Sequence, residues 1–538
     1  MIQLMRRGIR HGDDGSAMLL VLGVLFVTTL FLLSSLAYAM RNMTPTRRDQ
    51  DAKIALAAAQ AGIDEYVSRL TANDTYWSLG NTDTSNAAFG TGQTIQGTGG
   101  AGAKYTYQLL TTASDTAQTG VIKIKVTGTS TPGAGHDKVS RSLTATLRPK
   151  GFLSYVYLSD VEVVDPDILG QSSACANYYY AGRSGTSGCS NIQWTSGDTV
   201  NGPLHSNDAL QINGAVNFTN QTTESSWPAI NGTSSATTWW GSQSPPLAGY
   251  SPVYAAPISL PVANTTLLQY VAPDVDGDTS TPAGPGCYYQ GATKITFTGT
   301  TMTVLSPGTR NTSTPSRCYN VSTPTTAQSG LAIPPVIYVD AGTATCSTGQ
   351  IGYPASGESY TSGSSSAVAW GSSSSGATTN YNCQRGSAYV SGTVDGQVNV
   401  AAKDDVVVTG NLTAQDINTT DIIGLTAGNC IWVYHPINSS GDNLNSSTNV
   451  TTIQAALLSL RHSFVVENWN QGNPLGTLNV TGAIAQKFRG PVGTGSGTSI
   501  STGYYKNYVY DSRLAVLQPP YFLKSDTAPW AVSSLSDG

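Results

Sequence analysis

The longest apolar stretch of the chain spans residues 16–40 (SAMLLVLGVLFVTTLFLLSSLAYAM), 25 consecutive uncharged residues. A helix of this length, rising about 1.5 Å per residue, is about 37 Å long, which exceeds the ~30 Å hydrocarbon core of a bilayer. No polar stripe interrupts it, whereas a helix buried in a soluble core usually carries one. The pattern predicts a transmembrane helix whose large side chains face lipid or a partner helix: Leu19, Leu20, Leu22, Leu25, Phe26, Leu30, Phe31, Leu32, Leu33 and Leu36.

Beyond this run the hydrophobic pattern acquires a polar face. From Arg47 to Leu70, apolar residues such as Ile54, Ala58 and Tyr66 recur mostly at steps of three and four, which indicates an amphipathic helix. Pro45 lies between the two patterns and is expected to kink or break the helix there, because proline lacks a backbone donor.

Residues 1–15 form a basic leader that contains Arg6, Arg7 and Arg10. A secretory signal peptide begins in the same way, but its apolar region spans only ~7–15 residues. Here the apolar run is longer and continues into a second helical pattern, so we expect the segment to remain in the mature protein. The Lys and Arg counts on its two sides are similar, and the positive-inside rule therefore does not fix the orientation.

Strand patterns dominate the rest of the chain. Within residues 41–150, the segments KYTYQLLTT, GVIKIKVTGTS and KVSRSLTATL alternate with period two between turn-forming clusters, which predicts a helix followed by a three-stranded antiparallel meander. Residues 151–330 alternate short strands with long Ser-, Thr-, Pro- and Gly-rich loops. The first unit is therefore expected to end near Lys150, and a loop-rich β region to follow it.

From residue 331 to residue 538 the predicted strands become closer and more regular. Short apolar strands separated by Gly, Asn or Asp favour the stacked rungs of a β-solenoid, and a β-sandwich with long loops is the alternative. One helix is predicted within residues 449–466, and residues 504–522 (YYKNYVYDSRLAVLQPPYF) are expected to form an aromatic closing segment. The predicted fold class is mainly β with one long N-terminal α-helix.

Composition narrows the function classes. Only 11% of residues are charged, against about 25% in typical globular proteins, and the chain holds 57 glycines and 27 tyrosines. This composition is typical of extracellular β-rich proteins. The net charge of -5 provides no basic surface, so nucleic acid is not expected as a partner.

All seven cysteines follow the apolar run, and none has the CxxC spacing of a zinc or redox site. Their order in the chain suggests three disulfides, Cys175 with Cys189, Cys287 with Cys318 and Cys346 with Cys383, with Cys430 left buried and unpaired. Connectivity does not follow from sequence alone. A fully reduced set remains the alternative.

The segment RRGIRHGDDGSAMLLVLGVLF resembles the start of a type IV prepilin, with a short basic leader, a glycine and a long apolar helix. The helix and strands that follow resemble minor pilins and pseudopilins, especially the PilX-like group. The resemblance implies cleavage by a prepilin peptidase between Gly15 and Ser16, and it implies the membrane, other pilin subunits and the pilus assembly machinery as partners. Major pilins carry Glu at the fifth mature position, where this chain has Leu20, which favours an accessory subunit over the bulk filament subunit.

The segments DDVVVTGNLT, GLTAGNCIWVYHP and GAIAQKFRGPVG resemble the large C-terminal regions of uncharacterised PilX-like proteins from monoderm bacteria. This second resemblance extends over much of residues 150–525, and no activity comes with it.

Catalytic motifs do not emerge from the sequence. The five histidines show no HExxH spacing, and neither a GxSxG elbow nor a P-loop occurs. His205 and Asp208 are near enough on a turn to touch, but a structural turn is the simpler interpretation. Five Asp residues in the C-terminal region occupy turn-like positions and are candidates for a glycosidase pair: Asp395, Asp404, Asp405, Asp416 and Asp421.

The segment PDVDGDTST gathers Asp274, Asp276 and Asp278, whose alternating carboxylates suit calcium, although a solvated turn is the alternative. No other cofactor is expected, and the chain is not expected to be an enzyme. The sequence thus predicts a single-pass protein of the cytoplasmic membrane with its C-terminal region outside the cell, acting as a structural or adhesive accessory pilin. A surface-anchored carbohydrate-active enzyme and a pilus-independent adhesin are the alternatives.

Overall fold

The computed structural model describes sixteen ranges of the chain: residues 16–95, 102–131, 138–183, 186–213, 216–219, 223–226, 253–271, 284–309, 317–318, 325–359, 370–373, 376–379, 381–444, 449–496, 499–525 and 528–538. All structural statements below concern these residues.

A single helix, α1 (Ser16–Ala72), contains both helical patterns predicted from the sequence. It is continuous through Pro45, so the break considered there is absent. Proline removes only one of the backbone hydrogen bonds of a helix, and the long helical stretches on either side keep the rest. The N-terminal half of α1 is exposed from Met18 to Tyr38, whereas Ala55, Ala59, Ile63 and Tyr66 of its C-terminal half are buried.

The buried half of α1 packs on an antiparallel sheet of five strands in the order β1-β2-β3-β4-β30. Its strands are β1 (Gln93–Ile95), β2 (Gly102–Leu109), β3 (Ile122–Thr131), β4 (Ser140–Pro149) and, from the far end of the chain, β30 (Trp530–Asp537). The predicted meander corresponds to β2, β3 and β4, and two edge strands extend it. A short helix, α2 (Ala113–Thr119), begins at a capping box formed by Thr112 and Asp115.

Gly128 of β3 lets the helix approach the sheet closely. A Cβ atom at Gly128 would lie 1.9 Å from the carbonyl oxygen of Ala55 and 2.5 Å from the amide nitrogen of Ala59. Both are backbone atoms of α1 and cannot move aside as a flexible side chain would. The beginning of the amphipathic helix is therefore fixed against the sheet at a position that only glycine permits.

Between β4 and β30 lies a large β region, which we call the parallel stack (residues 157–510). Its strands are β5 (Tyr157–Val161), β6 (Trp194–Thr195), β7 (Thr199–Asn201), β8 (Leu204–Ser206), β9 (Ile212–Asn213), β10 (Asn217–Thr219), β11 (Thr223–Ser225), β12 (Val253–Tyr254), β13 (Cys287–Gln290), β14 (Thr293–Gly299), β15 (Thr301–Leu305), β16 (Gln328–Ala332), β17 (Val336–Asp340), β18 (Trp370–Ser373), β19 (Gly376–Thr379), β20 (Ala388–Val394), β21 (Gln397–Ala402), β22 (Val406–Ala414), β23 (Ile422–Ala427), β24 (Ile431–Val433), β25 (Thr452–Ser459), β26 (Phe464–Val466), β27 (Pro474–Phe488), β28 (Gly493–Ser496) and β29 (Ser499–Tyr510).

Short helices occupy the connections. They comprise α3 (Pro166–Leu169) and 3₁₀ turns at Tyr76–Thr82, Ala87–Phe89, Phe152–Ser154, Ser173–Ala176, Tyr179–Ala181, Thr265–Tyr270 and Ser512–Ala515.

Three ladders of parallel strands form most of the stack. Antiparallel pairs add β15 and β16 next to β14, and β28 next to β29, whereas β6 with β9 and β18 with β19 form separate two-stranded sheets. The longest parallel ladder runs β13-β17-β21-β23-β25-β27-β5-β8-β11-β12. The second runs β14-β20-β22-β24-β26, and the third runs β25-β27-β29-β7-β10. Parallel ladders of this kind are what a β-solenoid requires, and the solenoid itself stays a prediction.

The register of the longest ladder aligns apolar side chains in one buried column, which explains why these strands stack. The aligned residues, in stack order, are Cys287, Ile337, Val400, Leu425, Leu457, Ile484, Tyr157 and Leu204. Each strand covers the apolar face of the next, so the core continues along the stack.

The order of strands in the stack differs from their order in the chain. Strand β5 comes first after the antiparallel sheet, yet it pairs with β27 on one side and with β8 on the other. Residues 151–330 and residues 331–538 therefore contribute to one continuous sheet, and the predicted boundary at residue 330 does not divide it. The predicted closing segment is also followed by β30, which pairs with β4.

The helix predicted within residues 449–466 is wrong, because β25 and β26 occupy this stretch. Ile453 and Leu457 of β25 point into the stack, whereas Ala456 and Leu458 belong to an outer apolar cluster that Leu514 and Phe522 complete. Both faces of the strand are therefore apolar. Burial on both faces removes the period-two alternation by which a strand is recognised in a sequence.

Candidate functional site

The first candidate site is the exposed half of α1. From Met18 to Tyr38 the helix has 21 residues with a mean hydropathy of 2.5, and by length and composition it can cross a membrane. The ten side chains predicted to face lipid or a partner helix are all exposed, from 50% for Leu30 to 74% for Leu19. Because these positions surround the helix, its whole circumference is available for lipid or for neighbouring helices.

Hydroxyl groups within this half are hydrogen-bonded to the helix itself. Oγ1 of Thr28 donates to the carbonyl oxygen of Val24 at 2.9 Å, and Oγ of Ser34 and of Ser35 donate to Phe31 and Leu32 at 3.0 Å. A polar group without a partner is costly in hydrocarbon, and these bonds avoid that cost. At Gly23 an added Cβ would meet no atom within 4 Å, so the surface of the helix is open there.

The predicted cleavage site lies at the beginning of the helix. Ser16 is the first residue of α1. Gly15 falls outside the described residues, so the structure gives no geometry for the bond between them.

Disulfides join the three pairs suggested by the order of the cysteines: Cys175 with Cys189, Cys287 with Cys318 and Cys346 with Cys383. Cys430 is a buried free cysteine, and burial raises the pKa of its thiol well above the usual value. A buried, protonated thiol is unreactive, so Cys430 has the character of a core residue and not of a nucleophile.

A cluster of buried ions lies where β5, the first strand of the parallel stack in chain order, pairs with β27, one of the last. Nη1 of Arg489 is 2.8 Å from Oε2 of Glu162, and Nη1 of Arg183 is 2.6 Å from Oδ2 of Asp208. The backbone amide of Glu162 also donates to Oδ2 of Asp208 at 2.9 Å. The cluster joins the turns that follow β5, β8 and β27, and the sequence reasoning did not identify it.

His205 does not contact Asp208 as the sequence suggested it could. Its Nε2 lies 2.9 Å from Oδ1 of Asn207, and its Nδ1 lies 3.3 Å from Oε2 of Glu224. Asp208 is instead bound to Arg183 and to backbone amides. Because β8 alternates its side chains, His205 and the residues of the following turn face different partners.

Several candidate carboxylates hold turns together. Asp421 accepts hydrogen bonds from the amides of Gly396 and Asp416 at 2.9 and 3.1 Å. Asp404 and Asp405 share Arg385, with N–O distances of 3.0 and 3.4 Å. Burial raises the pKa of Asp405 to about 6, against the opposing effect of Arg385. Asp421 therefore bonds to the backbone of neighbouring turns, and Asp404 and Asp405 are paired with a buried arginine.

The calcium candidates Asp274, Asp276 and Asp278 lie outside the described residues. Another group, not found from sequence, brings ligand atoms of Asp165, Asp167 and His462 within 4.8 Å of one another. Nδ1 of His462 lies 2.6 Å from Oδ2 of Asp165, so the two side chains form a pair with each other. The arrangement is a histidine–carboxylate pair in which Asp165 is buried and His462 is partly exposed.

Comparisons with known proteins give little further information. No protein-family model and no curated protein matches the chain. A solved structure, that of the competence-associated pilin ComZ from Thermus thermophilus, is 12% identical in sequence and aligns over 91% of this chain and 97% of its own, with a TM-score of 0.28. A TM-score this low carries no argument about fold or function.

Proposed function

We propose that the protein is an accessory, minor-pilin-like subunit of a type IV pilus-type system, held in the cytoplasmic membrane by α1 and carrying the parallel stack outside the cell. The observation that carries the proposal is the continuity of α1. Its first half is apolar and exposed on all sides, and its second half packs on an antiparallel sheet.

The proposal accounts for an apolar helix that none of the described residues covers. An unbroken apolar helix is stable in lipid, and it is equally stable among similar helices, because in both environments its backbone groups are bonded internally. The same half of α1 can therefore serve first as a membrane anchor and then as a packing element in a filament.

Leu20 supports an accessory role within this proposal. If cleavage follows Gly15, Leu20 becomes the fifth residue of the mature chain, and its exposed side chain carries no charge. The resemblance to type IV prepilins places a Glu there in bulk subunits, so the corresponding ion pair cannot form. A subunit at the tip, or one needed for initiation, requires fewer such contacts.

The insertion of the parallel stack supports surface display. The chain leaves the antiparallel sheet at β4 and returns to it at β30, where Leu147 pairs with Val532. A large lobe is thereby carried on the sheet without interrupting the packing of α1. The three disulfides suit an oxidising exterior. We interpret the lobe as a β-solenoid with a structural or adhesive role in a PilX-like subunit.

Mass spectrometry of the mature amino terminus tests the proposal. The full chain is co-expressed with a prepilin peptidase, and the mature chain is expected to begin at Ser16. Gly15→Leu should block cleavage, whereas the matched variant Gly12→Leu, in the same leader, should be processed normally.

Two other results would overturn the pilin proposal. A membrane-bound chain that still begins at Met1 would indicate a plain signal anchor, as in a pilus-independent adhesin or a surface-anchored enzyme. A chain that begins beyond Met40 would indicate secretion.

A further inference from the structure

A groove of about 550 Å³ lies on the parallel stack, between the segment that follows Cys189 and the hairpin of β28 and β29. This volume falls in the range of ~300–1,000 Å³ typical of small-molecule sites. The groove is distant in sequence from α1 and takes no part in the proposed packing of subunits.

Uncharged polar side chains line most of the groove. They include the amides of Asn191, Gln193 and Gln211 and the hydroxyls of Thr195, Thr494 and Ser499. An amide offers both donors and an acceptor, and a hydroxyl offers one donor and two lone pairs. Such a lining complements a ligand that itself carries many hydroxyl groups.

The charged residues that line the groove neutralise each other. Nζ of Lys506 lies 2.8 Å from Oδ2 of Asp198, and these two side chains are 12% and 2% exposed. Oδ2 of Asp198 also accepts a hydrogen bond from the amide of Thr195 at 3.0 Å. Because the charges cancel, the groove has no excess of positive charge with which to attract a polyanion.

Tyr505 provides a fixed aromatic surface in the groove. Its hydroxyl oxygen accepts a hydrogen bond from the amide of Ile500 at 2.8 Å. Its ring lies against Gly197, where φ is +97° and an added Cβ would be 3.0 Å from Cε1 of the ring. The ring is thus held between the hairpin and a glycine.

The opposite wall is also held in place. The disulfide between Cys175 and Cys189 anchors its start. Gln171 binds Ser190 twice, with Nε2 donating to Oγ at 2.7 Å and Oε1 accepting from the amide at 3.1 Å. A site with rigid walls loses less entropy when a ligand binds.

We propose that this groove binds an uncharged oligosaccharide. A pyranose ring has an apolar face of C–H groups, which suits the ring of Tyr505, and a rim of hydroxyls, which suits the amides and hydroxyls around it. Binding, not hydrolysis, is the role that follows from the lining. A glycosidase of the usual kind needs two carboxylates, and the groove lining contains one, Asp198, which is paired with Lys506.

This ligand class deepens the proposed function, and it rests on that function only because the proposed function places the groove at the cell surface.

The test is binding of neutral hexasaccharides to the full chain, purified in a zwitterionic detergent because glycosidic detergents would compete. Cellohexaose, maltohexaose and chitohexaose are titrated by calorimetry, with hexagalacturonate as the acidic control. At least one neutral hexasaccharide is expected to bind saturably at millimolar concentration or below, and hexagalacturonate is not.

Variants locate the binding in the groove. Tyr505→Ala should weaken binding by about tenfold, because it removes the apolar surface against which the sugar ring packs. Tyr505→Phe should retain the affinity, and Tyr254→Ala, which removes an exposed tyrosine outside the groove, should leave it unchanged. If Tyr505→Ala does not fold, Gln193→Ala on the opposite wall provides the same test.

Three results would overturn the inference: no neutral hexasaccharide binds to the folded chain, hexagalacturonate binds as tightly, or the groove variants bind like the unaltered chain. Processing at Ser16 is measured separately. A failure of binding with normal processing therefore counts against the groove alone, and a failure of processing with normal binding counts against the pilin proposal alone.

Discussion

Nη1 of Arg489 lies 2.8 Å from Oε2 of Glu162, a residue 327 positions earlier in the chain, and both side chains are buried. Glu162 directly follows β5, and Arg489 directly follows β27. The ion pair therefore joins the turns that follow β5, the first strand of the parallel stack in chain order, and β27, one of the last strands in that order. The guanidinium of Arg489 also lies 3.9 Å from the ring centroid of Trp194, a buried residue of the same core.

Removal of one partner of this pair should destabilise the stack strongly. Arg489→Met leaves the carboxylate of Glu162 buried without its counter-ion, and we expect the free energy of unfolding to fall by about 3–5 kcal/mol. Denaturant titration of the full chain in detergent measures the change. In the double variant with Glu162→Gln no uncompensated charge remains, so part of the loss should be recovered.

Lys524→Met is the control for the loss of one positive charge, because Lys524 pairs with the exposed Asp74 and such pairs contribute little. If Arg489→Met and Lys524→Met lowered the free energy of unfolding equally, the buried pair would not stabilise the contact between the turns that follow β5 and β27.

Thiol reactivity reports the disulfide pattern and the burial of Cys430. We expect no thiol of the native chain to react with a maleimide, one to react in denaturant without reductant, and seven to react when reductant is added. The mass of the labelled chain gives the count. Cys430→Ser should reduce the count in denaturant alone to zero, and any additional label there would contradict the three pairings.

Gly128→Ala should loosen the packing of α1 on the antiparallel sheet. The added methyl group would lie 1.9 Å from a backbone oxygen of the helix, and overpacking of this kind typically costs about 1–3 kcal/mol. Gly90→Ala is the matched control, because a Cβ there meets no atom within 4 Å. Limited proteolysis between α1 and β2 should become faster in Gly128→Ala only. Equal rates in the two variants would contradict the close approach.

The stability of the stack should depend on pH through Asp405. Burial raises the pKa of Asp405 from 3.8 to about 6, so the folded state holds the proton more tightly than the unfolded state. Asp405 stabilises the fold fully at pH values below the pKa that it has in the unfolded chain. This stabilisation is lost as the pH rises through the pKa that Asp405 has in the folded chain, and the free energy of unfolding falls by at most about 3 kcal/mol. We therefore expect the free energy of unfolding of Asp405→Asn, relative to that of the unaltered chain, to increase from about pH 4 to about pH 7, as measured by denaturant titration at each pH.

Asp395→Asn, at an exposed turn, controls for the loss of one carboxylate. A difference between Asp405→Asn and the unaltered chain that does not vary with pH, or that varies in the opposite sense, would contradict this role of Asp405.

Much of the antiparallel unit follows from local sequence. The helical spacing around Ile54 and Ile63, and the alternation within β2, β3 and β4, are direct consequences of one apolar face per element. The addition of β30 could not be predicted, because no local pattern specifies that Trp530–Asp537 pairs with β4.

The candidate sites also differ in whether the local sequence reveals them. The apolar half of α1 is visible in the sequence because a membrane helix is defined by composition over consecutive residues. The groove around Tyr505 was not found, because it joins Gln193 and Gln211 to a hairpin about 300 residues later and has no local motif. The same applies to the ion cluster around Glu162.

The sequence by itself determined the apolar helix and the strands with one buried face, since each depends on neighbours along the chain. The tertiary structure alone decided that β5 lies between β27 and β8, that β25 is a strand buried on both faces, and that Arg489 meets Glu162. These features arise from burial between segments far apart in the chain. Such burial hides the local alternation of a strand, and no residue pattern specifies which distant strand becomes its neighbour.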